Sequence, residues 1–333
     1  MKNSEKSKKV NDNTSDKVWH DIFIKALKDR HPNRPKLVLA LMELLDIGRE
    51  AVYRRLRNDV EFSFFEIIKI AKTWNISLDG IIGVNSEQIP FFMQPVNYID
   101  PSKQELNFLR NVIQSINSFK DFPDVEFMNI CNKLPRQLLA GFKYLNRFYL
   151  FKWKYQYGNE KKSVPFSKVV ISEDQRKLTA DYYSAIKNVP HSIFIFDYML
   201  FDYLINDIRY FHTIELITAE EKELIKKDLY SLLDYLSELA TTGFYHETQK
   251  KVIIHISHLN VDTNYSYTYT NQINMCFVHV FDKYEIYTYD PKMMENFRTW
   301  IQLKKRTSFQ ITEVNQKGRI EYFTIQRQLI DTL

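Results

Sequence analysis

The segment 36–83 constrains the fold of this chain more than any other part of the sequence, because it divides into several short helices. Apolar residues recur at helical spacing in 37–45 and again in 48–58, with a short break between the two runs. Ser63 and Glu66 have the spacing of a capping box, which opens a further helix. That helix is expected to bury four apolar residues: Phe64, Ile67, Ile68 and Ala71. The pattern predicts a small bundle of short helices.

The helix at 49–58 carries arginines on the side that its apolar residues leave free. It would be locked against the preceding helix by five apolar residues: Leu41, Leu45, Ile47, Val52 and Leu56. Its free side offers five polar side chains: Arg49, Glu50, Tyr53, Arg54 and Arg57. Arginine binds guanine O6 and N7 in a bidentate manner and also pairs with phosphate, which suits the major groove of DNA. A sixth candidate, Arg55, would either contact a phosphate or pack along its aliphatic stem.

Residues 17–83 resemble the lambda-repressor/Cro type of helix-turn-helix domain through the motifs AVYRRL and FSFFEIIKIAKTWNISLDGIIG. The resemblance implies that the helix 49–58 enters the major groove, as in a two-domain bacterial transcriptional regulator. Two residues depart from the usual pattern of the family. Met42 stands where a small residue is common, and Asp46 stands where glycine commonly makes the turn. Asp46 can adopt a left-handed backbone at modest cost, so the turn is expected to form.

The chain is long enough, at 333 residues, for two domains, since cores tend to divide beyond about 250–300 residues. Residues 1–16 are too polar to bury much surface and are expected to form a disordered tail. Residues 17–83 would be the DNA-binding domain. Residues 84–102 contain three prolines around an apolar centre, which predicts a docked linker. Residues 103–333 would form a regulatory or dimerisation domain.

The spacing of apolar residues changes partway through this second domain. Helical spacing predicts helices at 103–119, 124–134, 137–157, 172–188, 192–217 and 219–240. A period of two then predicts strands at 252–258, 265–270, 274–281 and 284–289, whose short connections favour antiparallel pairing. A helix at 291–305, a strand near 309–312 and a helix at 319–329 complete the domain. The predicted fold class is α+β and mostly α, with helices followed by a C-terminal antiparallel sheet.

Composition limits the class of protein. A net charge of +5, from 46 basic and 41 acidic residues, permits nucleic-acid binding but does not argue for it. Evidence for such binding must come from local clusters of basic residues. Only 7 glycines disfavour an α/β nucleotide-binding fold. The two cysteines, Cys131 and Cys276, cannot form a disulfide framework. Neither a signal core nor a run of about 18 apolar residues occurs, so we expect a cytoplasmic protein without membrane contact.

Signals of catalysis or metal binding are few. His255 and His258 are three apart on a predicted strand, so they point to opposite faces and cannot share a metal. Tyr265, Tyr267 and Tyr269 alternate along another strand, where they would pack across strands or form the wall of a ligand pocket. No nucleotide-binding, serine-hydrolase or zinc-protease motif occurs. We expect no catalytic residue, no metal and no cofactor, and no ligand-binding residue is identified.

Three functions remain compatible with these patterns. The first is a DNA-binding transcriptional regulator, a homodimer whose second domain dimerises or senses a small-molecule or protein effector. The second is an enzyme with a DNA-targeting N-terminal domain, which a pocket gathering His255, His258 or His279 with acidic side chains would favour. The third is a protein–protein interaction module in which the helix-turn-helix segment is a scaffold. The first is the function that we expect.

Overall fold

The computed structural model describes residues 13–74, 76–78, 81, 89–93, 101–119, 122, 124–157, 164–270, 274–280 and 284–333. The chain divides into two compact units, Met1–Pro90 and Phe91–Leu333, so the division lies inside the segment 84–102. The described residues combine many helices with one mixed sheet. The predicted class, α+β and mostly α, is therefore confirmed.

The described part of the first unit contains four longer helices: α1 (Asn13–Arg30), α2 (Arg34–Leu45), α3 (Arg49–Leu56) and α4 (Phe64–Trp74). Helix α1 begins inside the segment 1–16, so the prediction that 13–16 are disordered is wrong. Polar residues are compatible with the first turn of a helix, which explains the difference. Residues 1–12 lie outside the described residues.

Apolar side chains from all four helices form the core of the first unit. Leu27, Leu41, Val52 and Ile70, one from each helix, have no exposed surface. The remaining three members of the predicted lock pack against the same cluster: Leu45, Ile47 and Leu56. The contact between α2 and α3 that the sequence predicts is therefore confirmed.

The buried face of α4 differs in part from the prediction. Phe62, just before the helix, is buried, whereas Phe64 is 69% exposed and Ile68 is 39% exposed. The prediction that Phe64 and Ile68 are buried is wrong, while Ile67 and Ala71 do face the core. Three phenylalanines lie within four residues of sequence here, so periodicity cannot decide which of them is buried.

The described part of the second unit contains these elements in chain order: β1 (Phe92–Met93), α5 (Pro101–Phe119), β2 (Glu126–Cys131), α6 (Arg136–Leu139), α7 (Lys143–Tyr157), α8 (Glu173–Lys187), β3 (His191–Asp197), α9 (Asp202–Thr213), α10 (Ala219–Thr242), β4 (Lys251–Ser257), β5 (Tyr265–Tyr269), β6 (Asn274–Val280), β7 (Tyr284–Thr288), α11 (Pro291–Arg306), β8 (Ser308–Gln310) and α12 (Gln316–Asp331). The strands form one sheet in the order β1-β7-β6-β5-β2-β3-β4-β8. Strands β2, β3 and β4 are parallel, and the other neighbours are antiparallel. From the predicted linker, Phe92 and Met93 join the sheet by pairing with β7.

Two strands lie where the sequence predicted helices. Strand β2 falls within 124–134, and β3 opens the segment 192–217. Both are inner parallel strands, whose side chains are covered on both faces, so they are apolar without alternation. A short apolar run of this kind cannot be distinguished from a buried helix by periodicity. The sheet is therefore mixed, and the prediction of a purely antiparallel sheet is wrong.

The predicted helix 137–157 is two helices, α6 and α7, separated near Gly141. A Cβ atom at Gly141 would lie only 2.5 Å from the ring of Tyr183, so a larger residue here would require that ring to shift. Glycine is also a poor helix former, which is consistent with a break at this position.

Different helices cover the two faces of the sheet. On one face, Phe194 and Ile254 of β3 and β4 belong to a large core with α7, α9, α10 and α12. On the other face, Tyr267 is buried against Phe297 of α11, and Tyr265 and Tyr269 pack against the same cluster. The prediction that the three tyrosines pack together is confirmed.

His255 on β4 predicts a loss of stability in acid. Burial, and then the charge of Lys305, lower the pKa of His255 from its ordinary 6.5 to about 4. The unfolded chain therefore binds this proton at a higher pH than the folded protein. We expect the free energy of unfolding to fall by about 2 kcal/mol between pH 7 and pH 5, measured by urea unfolding.

The variant His255→Gln should lose most of this pH dependence, because glutamine does not titrate. His246→Gln is the control, since His246 is exposed. A pH dependence in His255→Gln equal to that of the wild type would contradict the assignment.

Candidate nucleic-acid interface

A tight turn places α3 directly after α2. Asp46 has φ 56° and ψ 48°, the left-handed conformation that the sequence predicts, and its N–H donates to the carbonyl oxygen of Met42. Gly48 then provides an extended backbone before the first turn of α3. The turn survives without glycine at position 46 because aspartate adopts this conformation at modest cost.

Arg55 anchors α3 to the other helices of its unit. Its guanidinium pairs with Glu66 on α4, with Nη2–Oε1 and Nε–Oε2 distances of 2.9 and 3.0 Å, and Nη1 donates to the carbonyl oxygen of Ala51. His20 of α1 lies 2.9 Å from the Arg55 carbonyl oxygen through Nε2. Only 18% of the Arg55 side chain is exposed. Arg55 therefore holds α3 in place and is not on its open face.

Glu66 both pairs with Arg55 and caps the N-terminus of α4. Besides pairing with Arg55, its carboxylate accepts a hydrogen bond from the N–H of Ser63 at 2.8 Å, and the Glu66 N–H donates to Ser63 Oγ. The predicted capping box is therefore confirmed. Burial alone would raise the pKa of Glu66, but hydrogen bonds from Arg55 and Ser63 outweigh it and hold that pKa below its ordinary value.

Arg57 at the end of α3 is shared by two carboxylates. Nη2 lies 3.1 Å from Glu50 Oε1, and Nε lies 2.8 Å from Asp59 Oδ2. Hydrogen bonds to Asp59 and then to Glu50 raise the pKa of Arg57. Glu50 and Arg57, both predicted to face DNA, are exposed but neutralise each other in the free protein. A phosphate at Arg57 would have to displace a carboxylate.

Arg49 and Arg54 are the arginines of α3 that stay available. Both are exposed, and within the part of the chain that the structure describes neither side chain has a hydrogen bond or an ion pair. Arg54 lies on the side of α3 opposite the buried Val52. Tyr53 is half-buried and packs against the core through part of its ring.

Two basic residues at the start of α2 extend this surface. Arg34 lies with its guanidinium carbon 6.0 Å from the ring centroid of Tyr53, and Lys36 is exposed nearby in sequence. Neither residue is among the six predicted from the sequence. Arg34 and Lys36 flank Pro35 in the first turn of α2, a pattern that could have indicated them. Only the packing of α2 on α3 brings Arg34 next to Tyr53.

The second unit contains a separate candidate site, a cavity of about 1000 Å³. His279 and Glu285 line it, with Nε2 and Oε1 3.0 Å apart. His258 instead stacks on Tyr198, with ring centroids 4.7 Å apart, and neither His258 nor His255 lines the cavity. The described residues contain no group of three histidine, cysteine or acidic side chains that could hold a metal ion. Of the three histidines that the enzyme hypothesis would gather, the cavity contains one.

Both cysteines are buried free thiols. Burial raises the pKa of Cys276 to about 11, and burial raises the pKa of Cys131 as well. Each thiol therefore stays protonated at neutral pH, where only the thiolate is a strong nucleophile.

Loss of the Glu66 charge should destabilise the first unit. Glu66→Gln weakens a largely buried ion pair with Arg55, so we expect a loss of about 1–3 kcal/mol. Amide hydrogen exchange in peptides from 49–74 would measure it. Glu50→Gln is the matched control, because its pair with Arg57 is exposed and should contribute less than about 1 kcal/mol. Equal effects of the two substitutions would contradict the anchoring by Arg55.

No model of a protein family, no curated protein and no solved structure matches this chain. The resemblance to the helix-turn-helix domain therefore stays a prediction that rests on the motifs. Among the described helices, none is both long enough and apolar enough to cross a bilayer.

Proposed function

We propose that this chain is a sequence-specific DNA-binding transcriptional regulator that inserts α3 into the major groove. The observation that carries the proposal is the pair Arg49 and Arg54. Both are exposed and, among the described residues, unpaired, on a helix whose opposite side is packed into a core. Arginine in this position reads guanine through O6 and N7, with about 1–3 kcal/mol of discrimination for each good bidentate contact.

Phosphate contacts would provide most of the affinity. In helix-turn-helix complexes the first helix of the pair crosses the DNA backbone, and here Arg34 and Lys36 lie at the start of that helix. Both are exposed, as phosphate contacts require. Such contacts position the protein on the duplex but carry no sequence information directly.

The pair formed by Glu50 and Arg57 would contribute specificity. A carboxylate near DNA repels phosphate unless it accepts a hydrogen bond, and the N4 amino group of cytosine is the base donor that suits it. Contact between Glu50 and cytosine would leave Arg57 paired only with Asp59, so that its Nη2 could reach a phosphate. In the absence of such a base, Arg57 would stay bound to Glu50 and Asp59.

The proposed assembly on DNA is a homodimer. One α3 offers few side chains that can read bases, so useful specificity requires two copies on two half-sites, about 34–36 Å apart. The second unit would supply dimerisation and recognition of an effector. Selection of bound sequences from random duplexes would then recover an inverted repeat, whereas recovery of no preferred sequence would contradict sequence-specific binding.

Arg54→Ala should weaken binding to the selected operator by about 1–3 kcal/mol, because it removes a base or phosphate contact without disturbing the core. Fluorescence anisotropy at a fixed salt concentration would measure the affinity. Lys72→Ala is the control, since it removes an exposed positive charge from the last turn of α4. An unchanged affinity of Arg54→Ala would refute the assignment of α3 as the recognition helix.

Glu50→Ala should increase binding to duplexes of unrelated sequence, because it removes one of the two carboxylates that hold Arg57 and leaves only Asp59 to compete with a phosphate. One additional phosphate contact would steepen the slope of log affinity against log salt by about 0.9. Glu61→Ala removes the same charge from the loop before α4 and releases no arginine, so its slope should not change. Identical slopes for the two variants would show that Arg57 does not reach the backbone.

A further inference from the structure

In the second unit, helices pack against one half of one sheet face, and the other half of the same face borders a cavity. Over β3 and β4 the face is covered by the large core, but over β2, β5, β6 and β7 it lines the cavity of about 1000 Å³. Protein interiors normally contain few voids larger than a water molecule, whereas ligand pockets occupy about 300–1000 Å³. The size of this space suits a bound molecule.

Strand register arranges the floor of the cavity in rows. Asn129 of β2 pairs with Ser266 of β5, Ser266 pairs with Phe277 of β6, and Phe277 pairs with Tyr287 of β7. Directly opposed residues project to the same face of a sheet, so these four side chains form one row. A neighbouring row consists of Phe127, Thr268 and Met275. The floor thus combines aromatic rings with small polar groups.

Helices α5 and α7 form the opposite wall. Gln104, Phe108 and Asn111 line the cavity from α5 at spacings of four and three, which places them on one side of that helix. Tyr149 and Trp153 line it from α7. This wall again combines flat aromatic surfaces with amide groups.

The buried charge of the cavity wall is already neutralised. Arg136 of α6 is buried, and its guanidinium pairs with the buried carboxylate of Glu105 and bonds to Asn146. Its guanidinium carbon also lies 4.2 Å from the ring centroid of Tyr149. Two half-exposed pairs line the same space: Lys152 with Asp207 at 2.5 Å, and His279 with Glu285 at 3.0 Å. Apart from His279, the cavity lining contains four acidic and four basic side chains, a balance that favours a ligand without net charge.

Two buried amide atoms of the wall lack a hydrogen-bond partner in the described part of the chain. Asn129 is 4% exposed, and its Oδ1 accepts a hydrogen bond from Gln137 at 2.9 Å, but its Nδ2 donates to nothing. The Oε1 atom of Gln104 is likewise buried and accepts nothing. An unsatisfied buried polar atom costs about 1–3 kcal/mol, so a ligand that offers an acceptor to Asn129 and a donor to Gln104 would recover that free energy.

We propose that this cavity binds an uncharged, planar aromatic heterocycle that carries hydrogen-bond donors and acceptors on its edge, the chemistry of a nucleobase or a fused flavin-like ring. The rings of Phe127, Phe277 and Tyr149 stack on its faces or edges. After each side chain rotates toward the cavity, Asn129 Nδ2 donates to a ring acceptor and Gln104 Oε1 accepts from a ring N–H. The proposal is independent of DNA binding, because every residue it uses lies in the second unit.

Isothermal titration calorimetry of the full chain without DNA tests this chemistry. The probes are adenine, hypoxanthine and lumichrome, with naphthalene as the ring without hydrogen-bonding groups and AMP as the charged form. We expect at least one of the three heterocycles to bind with a Kd below about 100 µM, and naphthalene and AMP to bind at least about tenfold more weakly. Absence of binding by all three, or tighter binding of naphthalene or AMP, would overturn the proposal.

Two variants locate the binding in the cavity. Asn129→Leu removes the unpartnered donor and should weaken the best heterocycle at least about tenfold. Ser266→Phe fills the floor and should abolish binding while the chain stays folded, as monitored by circular dichroism. Gln326→Met is the matched control, because Gln326 is a buried amide with an unpartnered Oε1 that does not line the cavity. Wild-type affinity in folded Ser266→Phe would overturn the assignment, even if Asn129→Leu does not fold.

Discussion

The second unit depends on the burial of β2, β3 and β4 on both faces of the sheet. Parallel neighbours require long crossover connections, and these connections supply α7, α9 and α10, which form the large core on one face. The opposite face is covered by α11. At β2 the sheet changes from parallel to antiparallel, and beyond it β5 and β6 pack on α11 on one face and line the cavity on the other. The cavity lies at this change of direction, because helices that pack on the parallel strands do not fill the space over the antiparallel ones.

In the first unit, the ion pair between Arg55 and Glu66 distinguishes the arginine that positions α3 from those available to bind DNA. Glu66 caps α4 and binds Arg55, so the most buried arginine of α3 is used to position the helix. Arg57 is held by two carboxylates at the surface, and Arg49 and Arg54 project freely. The surface proposed for DNA is therefore smaller on α3 than the six predicted residues, and it extends to Arg34 and Lys36 on α2.

Local signals predicted much of the fold. The capping box at Ser63, the left-handed turn at Asp46 and the alternating strands from β4 to β7 all depend on residues that are close in sequence. Strands β2 and β3 were missed because their apolar runs have no period, and Phe64 was misplaced because it is one of three adjacent candidates for burial. Tyr265, one of the three tyrosines considered for a pocket wall, does line the cavity. No motif indicated its polar residues, because Asn129 and Gln104 lie on different elements and neither has a characteristic neighbour in the chain.

Local patterns of residues were enough to predict that the first unit is a bundle of short helices with an arginine-rich helix, and that strands and helices coexist in the second. Those properties arise from backbone preferences and from apolar spacing over one or two turns. The folded arrangement was needed to show which arginines are neutralised, which face of α4 is buried, and which strands run parallel. These features depend on contacts between residues that are distant in sequence, and a local pattern of residues does not reveal the free energies of such contacts.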